Sequence, residues 1–254
     1  MERIAEIGER VLRFCSGIKQ MSQIDIRENL LRVQDKIATA ANQSGRRPEE
    51  ITLVGVSKIQ PVESIRAAYA AGLRHFGENR VQEWEEKYGG VEYLDGTWHL
   101  IGRLQSNKAA RAAKLFHSID SIDSFPLAER IDRARANRPS GSQLRVLIEV
   151  HLGGEETKSG VSPEGLPELG EKLMALAHLN LAGLMCIPPF MENLDEVRPY
   201  FANLRELKGQ LEERLGKRFP VLSMGMSHDF EAAILEGATE VRIGTALFGI
   251  RPAA

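Results

Sequence analysis

Lys58 closes the run Ile51-Thr52-Leu53-Val54-Gly55-Val56-Ser57-Lys58, an apolar, β-branched segment with turn and helix signals after it. A lysine at the mouth of a buried strand is costly to dehydrate, and dehydration lowers the pKa of its amine. A neutral amine attacks carbonyl carbons and forms Schiff bases. Far downstream, Leu222-Ser223-Met224-Gly225-Met226-Ser227 and Val241-Arg242-Ile243-Gly244-Thr245-Ala246 have the glycine and hydroxyl content of turns that cradle phosphate. An aldehyde-reactive lysine together with a phosphate cradle suggests pyridoxal 5′-phosphate (PLP). The plain alternative is a lysine that runs from a strand end to water.

Arg242 has two readings. One is a surface or salt-bridged arginine. The other sets its guanidinium against a pyridine nitrogen. A guanidinium donates hydrogen bonds and accepts none, so it would leave that nitrogen unprotonated. The ring would then be a poor electron sink, suited to being held more than to stabilising carbanions.

Turns so far apart in sequence meet only if the chain between them is regular. Asp25 and Glu28 form a capping-box-like pair, and Ile26, Leu30, Val33, Ile37 and Ala41 follow at helical spacing until Ser44-Gly45. A strand–helix rhythm then begins. Strands are predicted at 51–57, 73–77, 97–101, 115–119, 144–150, 181–186, 220–224 and 239–243. Helical patterns begin at Pro61 and fill 80–88, 106–113, 124–137, 163–178 and 194–215, with Ser227 as the cap of a last one over 228–236. Eight strands, each followed by a helix, favour a single (β/α)8 (TIM) barrel, with an open doubly wound sheet as the alternative. Most strands read as apolar runs, as strands buried on both faces should. In such a barrel the C-terminal strand ends carry function. Those ends include Lys58, Asn79, Ser223-Met224, and Arg242 with Gly244-Thr245. No linker divides the chain, so residues 25–254 read as the barrel and 1–24 as an N-terminal extension.

Composition narrows the classes. The chain has 254 residues, 43% apolar and 27% charged, with a net charge of −2 and no basic block, which argues against general nucleic-acid binding. No apolar run is long enough to span a bilayer. Charged residues from Glu2 to Arg10 exclude a secretory signal. Cys15 and Cys186 have no metal-ligand spacing, which fits a reduced, cytoplasmic setting, and Cys186 reads as core. The six histidines show no metal-ligand spacing, and His99, inside an apolar strand, reads as a satisfied core histidine. Trp84 reads as packing, and Glu155-Glu156 and Glu212-Glu213 as solvated faces. Lys158 reads as an exposed loop lysine, with a secondary cofactor contact as the alternative.

Seven segments recur in a familiar order: Val56-Ser57-Lys58, the run 76–83 (FGENRVQE), the run 98–108 (WHLIGRLQSNK), Lys158-Ser159-Gly160, the run 183–189 (GLMCIPP), the run 222–227 (LSMGMS) and the run 241–245 (VRIGT). In these the chain resembles the YggS/PROSC family of pyridoxal phosphate homeostasis proteins, from about residue 25 onward. The resemblance implies a barrel like the N-terminal domain of alanine racemase. It implies a PLP Schiff base on Lys58, with Asn79 beside the cofactor. Ser223, Met224, Gly244 and Thr245 would hold the phosphate, the Met and Gly by backbone, and Arg242 would face the pyridine nitrogen. Cys186, His228 and Arg80 depart from the family's commoner residues, the last two at the rim. The function implied is PLP buffering and delivery to apoenzymes by a monomer, without a catalytic residue. The alternatives are a racemase-like enzyme and a phosphate-binding barrel without PLP.

Overall fold

Asp25 caps the first helix as its spacing to Glu28 predicts: its Oδ1 accepts the Glu28 N–H at 3.0 Å. In the computed structural model, residues 25–136, 142–153 and 159–249 are described. The readings of 1–24, of Glu155-Glu156 and of Lys158 fall outside them. Helix α1 (Ile26–Gln43) leads into β1 (Thr52–Val56), α2 (Val62–Ala70), β2 (His75–Glu78), α3 (Val81–Tyr88) and β3 (Thr97–Leu100). There follow α4 (Ala109–Leu115), β4 (Ser118–Ile122), α5 (Phe125–Ala136), β5 (Leu144–Glu149), α6 (Leu166–Met174) and β6 (Leu179–Met185). The chain closes with α7 (Leu194–Leu215), β7 (Val221–Met226), α8 (Phe230–Leu235), β8 (Glu240–Ile243) and the single turn α9 (Thr245–Phe248). All eight strands are parallel, and β1 pairs with both β2 and β8, so the barrel is closed. The doubly wound alternative is thereby excluded.

The main core lies between barrel and helices. Trp84 of α3 is fully buried, its ring 4.0 Å from Trp98 and 6.1 Å from Phe116, and Phe76 stacks on Trp98 at 4.7 Å. Burying an aromatic of this size contributes roughly 1.5–3 kcal/mol, so Trp84 is packing, as its spacing indicates. Cys186 is also core: burial pushes its thiol up to about 12.

Four of the departures from the sequence reading have clear physical causes. Strand β4 begins three residues later than expected, because Leu115 ends α4 and Phe116 packs into the core, while the strand itself mixes polar Ser118, Asp120 and Ser121 with Ile119 and Ile122. The pattern over 106–113 is a 3-10 turn, Ser106–Lys108, running into α4. Helix α6 is shorter than its apolar pattern, since Leu176 packs on the core from beyond the helix end. Ser227 does not cap α8: Asp229 is the N-cap residue, and its Oδ1 accepts the Met226 N–H at 2.6 Å. Glu212 is likewise more than a solvated residue, accepting the Phe219 N–H at 2.6 Å and lying 2.8 Å from Lys208 Nζ.

The polar residues of β4 belong to a network across the barrel floor. His99 Nδ1 is 3.0 Å from Asp120 Oδ2, and His99 Nε2 is 3.1 Å from His75 Nδ1. Arg145 of β5 reaches Glu240 of β8 at 2.6 Å and lies 3.2 Å from His99 Nδ1. His99 is therefore buried and satisfied, as expected. Burial, with His99 and Arg145 adding to it, holds His75 down from 6.5 to about 4, and Glu240 and Asp120 recover only part of the shift. Burial pushes the Asp120 carboxyl up, but His99, Arg145 and Ser118 outweigh it and hold it below its ordinary value. Both folded-state values are depressed, so the unfolded chain binds more protons as the medium acidifies. Stability from His75 is complete above its ordinary value of 6.5 and is lost as pH falls towards about 4. Asp120 adds its loss in the carboxylate range. The raised carboxyls of Glu78 and Glu149 act with the opposite sign as pH falls, so the floor is read by difference. The urea midpoint of wild type relative to His75→Asn should decline from pH 7 to pH 4.5, and a difference independent of pH in this window would contradict this account of the floor.

Candidate functional site

Closure of the barrel makes the C-terminal ends of β7, β8, β1 and β2 consecutive around one rim. Of the site residues named from the sequence, Arg242 on β8 with Gly244-Thr245 just after it, Lys58 beyond β1 and Asn79 beyond β2 stand at these ends, whereas Ser223 and Met224 lie inside β7, which runs on to Met226 instead of ending at 224. The lysine sits just past β1. A Cβ on Gly244 would stand in van der Waals contact with Val56, and Ser57 bonds to Glu78. Lys58 itself is half-buried in the turn that follows.

Arg242 is inside, only 3% exposed, so the surface reading does not hold. Its Nη1 donates to Ser223 Oγ at 2.7 Å and its Nη2 to the Cys186 carbonyl at 2.8 Å. Ser223 uses its oxygen as an acceptor here, which leaves its hydroxyl hydrogen to donate. Met224 is fully buried and its side chain packs in the core, so any contact from it to a ligand would be through backbone. At the next end, the N–H groups of Gly244 and Ala246 point to Ser227 Oγ at 3.1 and 3.3 Å. The two glycine-rich turns are thus in direct contact, and Ser227 is their link. Sequence reading gave Ser227 the wrong role because a serine before a helix resembles an N-cap whatever its side chain does.

Asn79 is pinned from the far side. A Cβ on Gly102 would collide with the Asn79 backbone, so the glycine permits the β3 loop to press against it. Asn79 also borders a cavity of about 1350 Å³, lined among others by Arg80, Glu83, Arg103, Lys108 and Ser159. Ser159 donates to Glu149 Oε1 at 2.8 Å, and burial raises the Glu149 carboxyl above its ordinary value. His228, the other unusual rim residue, places Nε2 3.2 Å from the Met191 carbonyl and packs on Phe190.

Sequence reading missed two groupings. Glu78, Glu83 and Lys87 meet beside Lys58, with Lys87 Nζ 3.3 Å from Glu78 and 2.6 Å from Glu83. Burial raises the Glu78 carboxyl, offset in part by Lys87 and Ser57. The second grouping, His99, Asp120 and Glu240, gathers three potential metal ligands. They come from three strands, so no sequence spacing could betray them. Arg145 already lies among them and supplies positive charge.

This barrel has the fold of the alanine racemase N-terminal domain, and the profile of that family ("Alanine racemase, N-terminal domain") matches residues 26–252. An alanine racemase of Clostridium difficile superposes with a TM-score of 0.70 over 90% of this chain and 57% of its own, at 18% identity, which shows the shared fold alone. A curated relative from Aquifex aeolicus, named pyridoxal phosphate homeostasis protein, is 50% identical over 224 residues, 88% of this chain and 97% of that one. PipY of Synechococcus elongatus, solved with PLP bound, superposes with a TM-score of 0.75 at 41% identity, over 84% of this chain and all of that one. The chain belongs to the family of pyridoxal phosphate homeostasis proteins, within the broader alanine racemase N-terminal domain family. Among the described residues, no helix is long and apolar enough to cross a membrane.

Proposed function

We propose that this protein binds PLP at the rim of β7, β8, β1 and β2, and that it buffers and delivers the cofactor to PLP-requiring apoenzymes instead of turning over amino acids. The donor set fits a phosphorylated aldehyde. Lys58 offers an amine that would bond the aldehyde carbon, the carbonyl oxygen leaving as water. Ser223, Thr245 and the backbone of Met224 and Gly244 would hold the phosphate, the Gly244 N–H turning to it from Ser227 Oγ, and Asn79 would border the ring. The relatives' names and the PLP in PipY support the same assignment. When bound, PLP supplies an aldehyde for amines and a ring that can withdraw electrons.

The observation that carries the carrier reading is Arg242. It is a permanent cation, buried, and anchored by Ser223 Oγ and the Cys186 carbonyl. Beside a pyridine nitrogen it cannot accept a proton, so the ring remains a weak electron sink and the site favours holding over catalysis. We assign the binding unit to residues 25–254 as a cytoplasmic monomer that needs neither nucleic acid nor a membrane. The PLP-loaded chain should restore activity to an apoenzyme of the PLP-dependent class. It should exchange no Cα proton of saturating alanine in deuterated water. Turnover at an ordinary enzymatic rate, on the order of 1–10³ s⁻¹, would instead favour the racemase-like reading.

A further inference from the structure

Ile59 follows Lys58 with φ at 62°, and it is the only non-glycine residue in the left-handed region among the described residues. A β-branched side chain is sterically penalised there. The residue is 67% exposed, so packing does not hold it in place. Hydrogen bonding does. Glu83 Oε1 accepts the Ile59 N–H, and the same oxygen is 2.6 Å from Lys87 Nζ. Lys87 Nζ donates to the Ser57 carbonyl at 2.9 Å and lies 3.3 Å from both carboxylate oxygens of Glu78. Glu78 Oε1 accepts the Ser57 hydroxyl at 2.7 Å. One connected network therefore grips the backbone on both sides of Lys58.

We propose that Glu83 is a positioning residue: through Ile59 and Lys87 it locks the strained turn that aims the Lys58 amine, and so sets how fast that amine captures an aldehyde. Strain held beside a reactive group by surrounding bonds is a recurrent form of preorganisation. Without Glu83 the Ile59 backbone relaxes to negative φ, and the peptide carrying Lys58 rotates with it. The inference rests on Lys58 being the PLP-bonding amine, and the test separates the two claims.

Two rates would be measured on the full chain. One is acetylation of Lys58 by acetic anhydride without PLP, followed by peptide mass spectrometry across pH. The other is PLP capture, followed by stopped-flow absorbance. Glu83→Ala should slow both about tenfold and displace the pH profile of acetylation, a cost in keeping with small misplacements of reacting groups. Glycine adopts positive φ without the steric penalty. In an Ile59→Gly background, Glu83→Ala should therefore cost less than about threefold. Should Glu83→Ala fail to fold, Glu83→Gln takes its place: it keeps an acceptor for Ile59 and loses the charge facing Lys87, so a smaller loss in both rates is expected. Rates within twofold of wild type, or an equal loss in the Ile59→Gly background, would overturn the proposal. Absence of PLP capture by the wild type would overturn the reading of Lys58 instead, and the acetylation arm would still decide the role of Glu83.

Discussion

Lys58→Ala is expected to retain on the order of 100-fold less PLP than the wild type after desalting, a difference of about 2.8 kcal/mol in affinity. The variant keeps Ser223, Thr245, Asn79 and Arg242, so the phosphate and ring contacts proposed for them persist. What it loses is the covalent bond, and with it the slow step of release. Lys58 lies beyond the end of β1 and is half-buried, so the barrel itself should survive. Melting temperatures of the unloaded wild type and variant should agree within a few degrees. Equal retention by both chains would mean that the phosphate turns alone hold the ligand, and the lysine would be structural.

The largest expected loss of stability comes from a residue with no chemistry. Gly183 of β6 pairs with Val221 of β7, and a Cβ at Gly183 would overlap the Val221 carbonyl oxygen. Backbone cannot retreat as a flexible side chain can. Gly183→Ala must therefore push β7 away from β6, and β7 carries Ser223 and Met224. Overpacking of this kind typically costs about 1–3 kcal/mol and sometimes more, so a fall in Tm of roughly 2–12 °C is expected for a chain of this size. PLP retention should fall with it. Gly209→Ala is the matched control. It lies in α7 with no atom near its Cβ position, and gains about 0.5–1 kcal/mol by helix propensity. Similar Tm values for the two variants would refute the steric argument at Gly183.

The sequence was most informative where one residue type has one purpose. Lys58, Asn79, Arg242 and the glycine turns lie at strand ends, and the strand–helix rhythm was regular enough to count those ends. Long amphipathic elements were legible too: α7 occupies 194–215 as its apolar spacing indicates. What remained hidden was tertiary. The floor network draws His75, His99, Asp120, Arg145 and Glu240 from five strands, and their proximity depends on barrel closure. The same polar residues misplaced β4, since an apolar-run criterion slides towards Leu115 and Phe116 and away from Asp120. Ile59 gave no signal either, because an isoleucine in the left-handed region contradicts its own preference. Such a conformation can be seen only in the structure, together with the Glu83 and Lys87 contacts that hold it.

The central claim is that Lys58 Nζ bonds the aldehyde of PLP, and the most direct measurement is borohydride reduction of the PLP-incubated wild-type chain followed by peptide mapping. The account predicts bleaching of the visible absorption band and one stoichiometric phosphopyridoxyl adduct, on the peptide containing Lys58. An adduct confined to other lysines, or no adduct under conditions where PLP still binds, would contradict it.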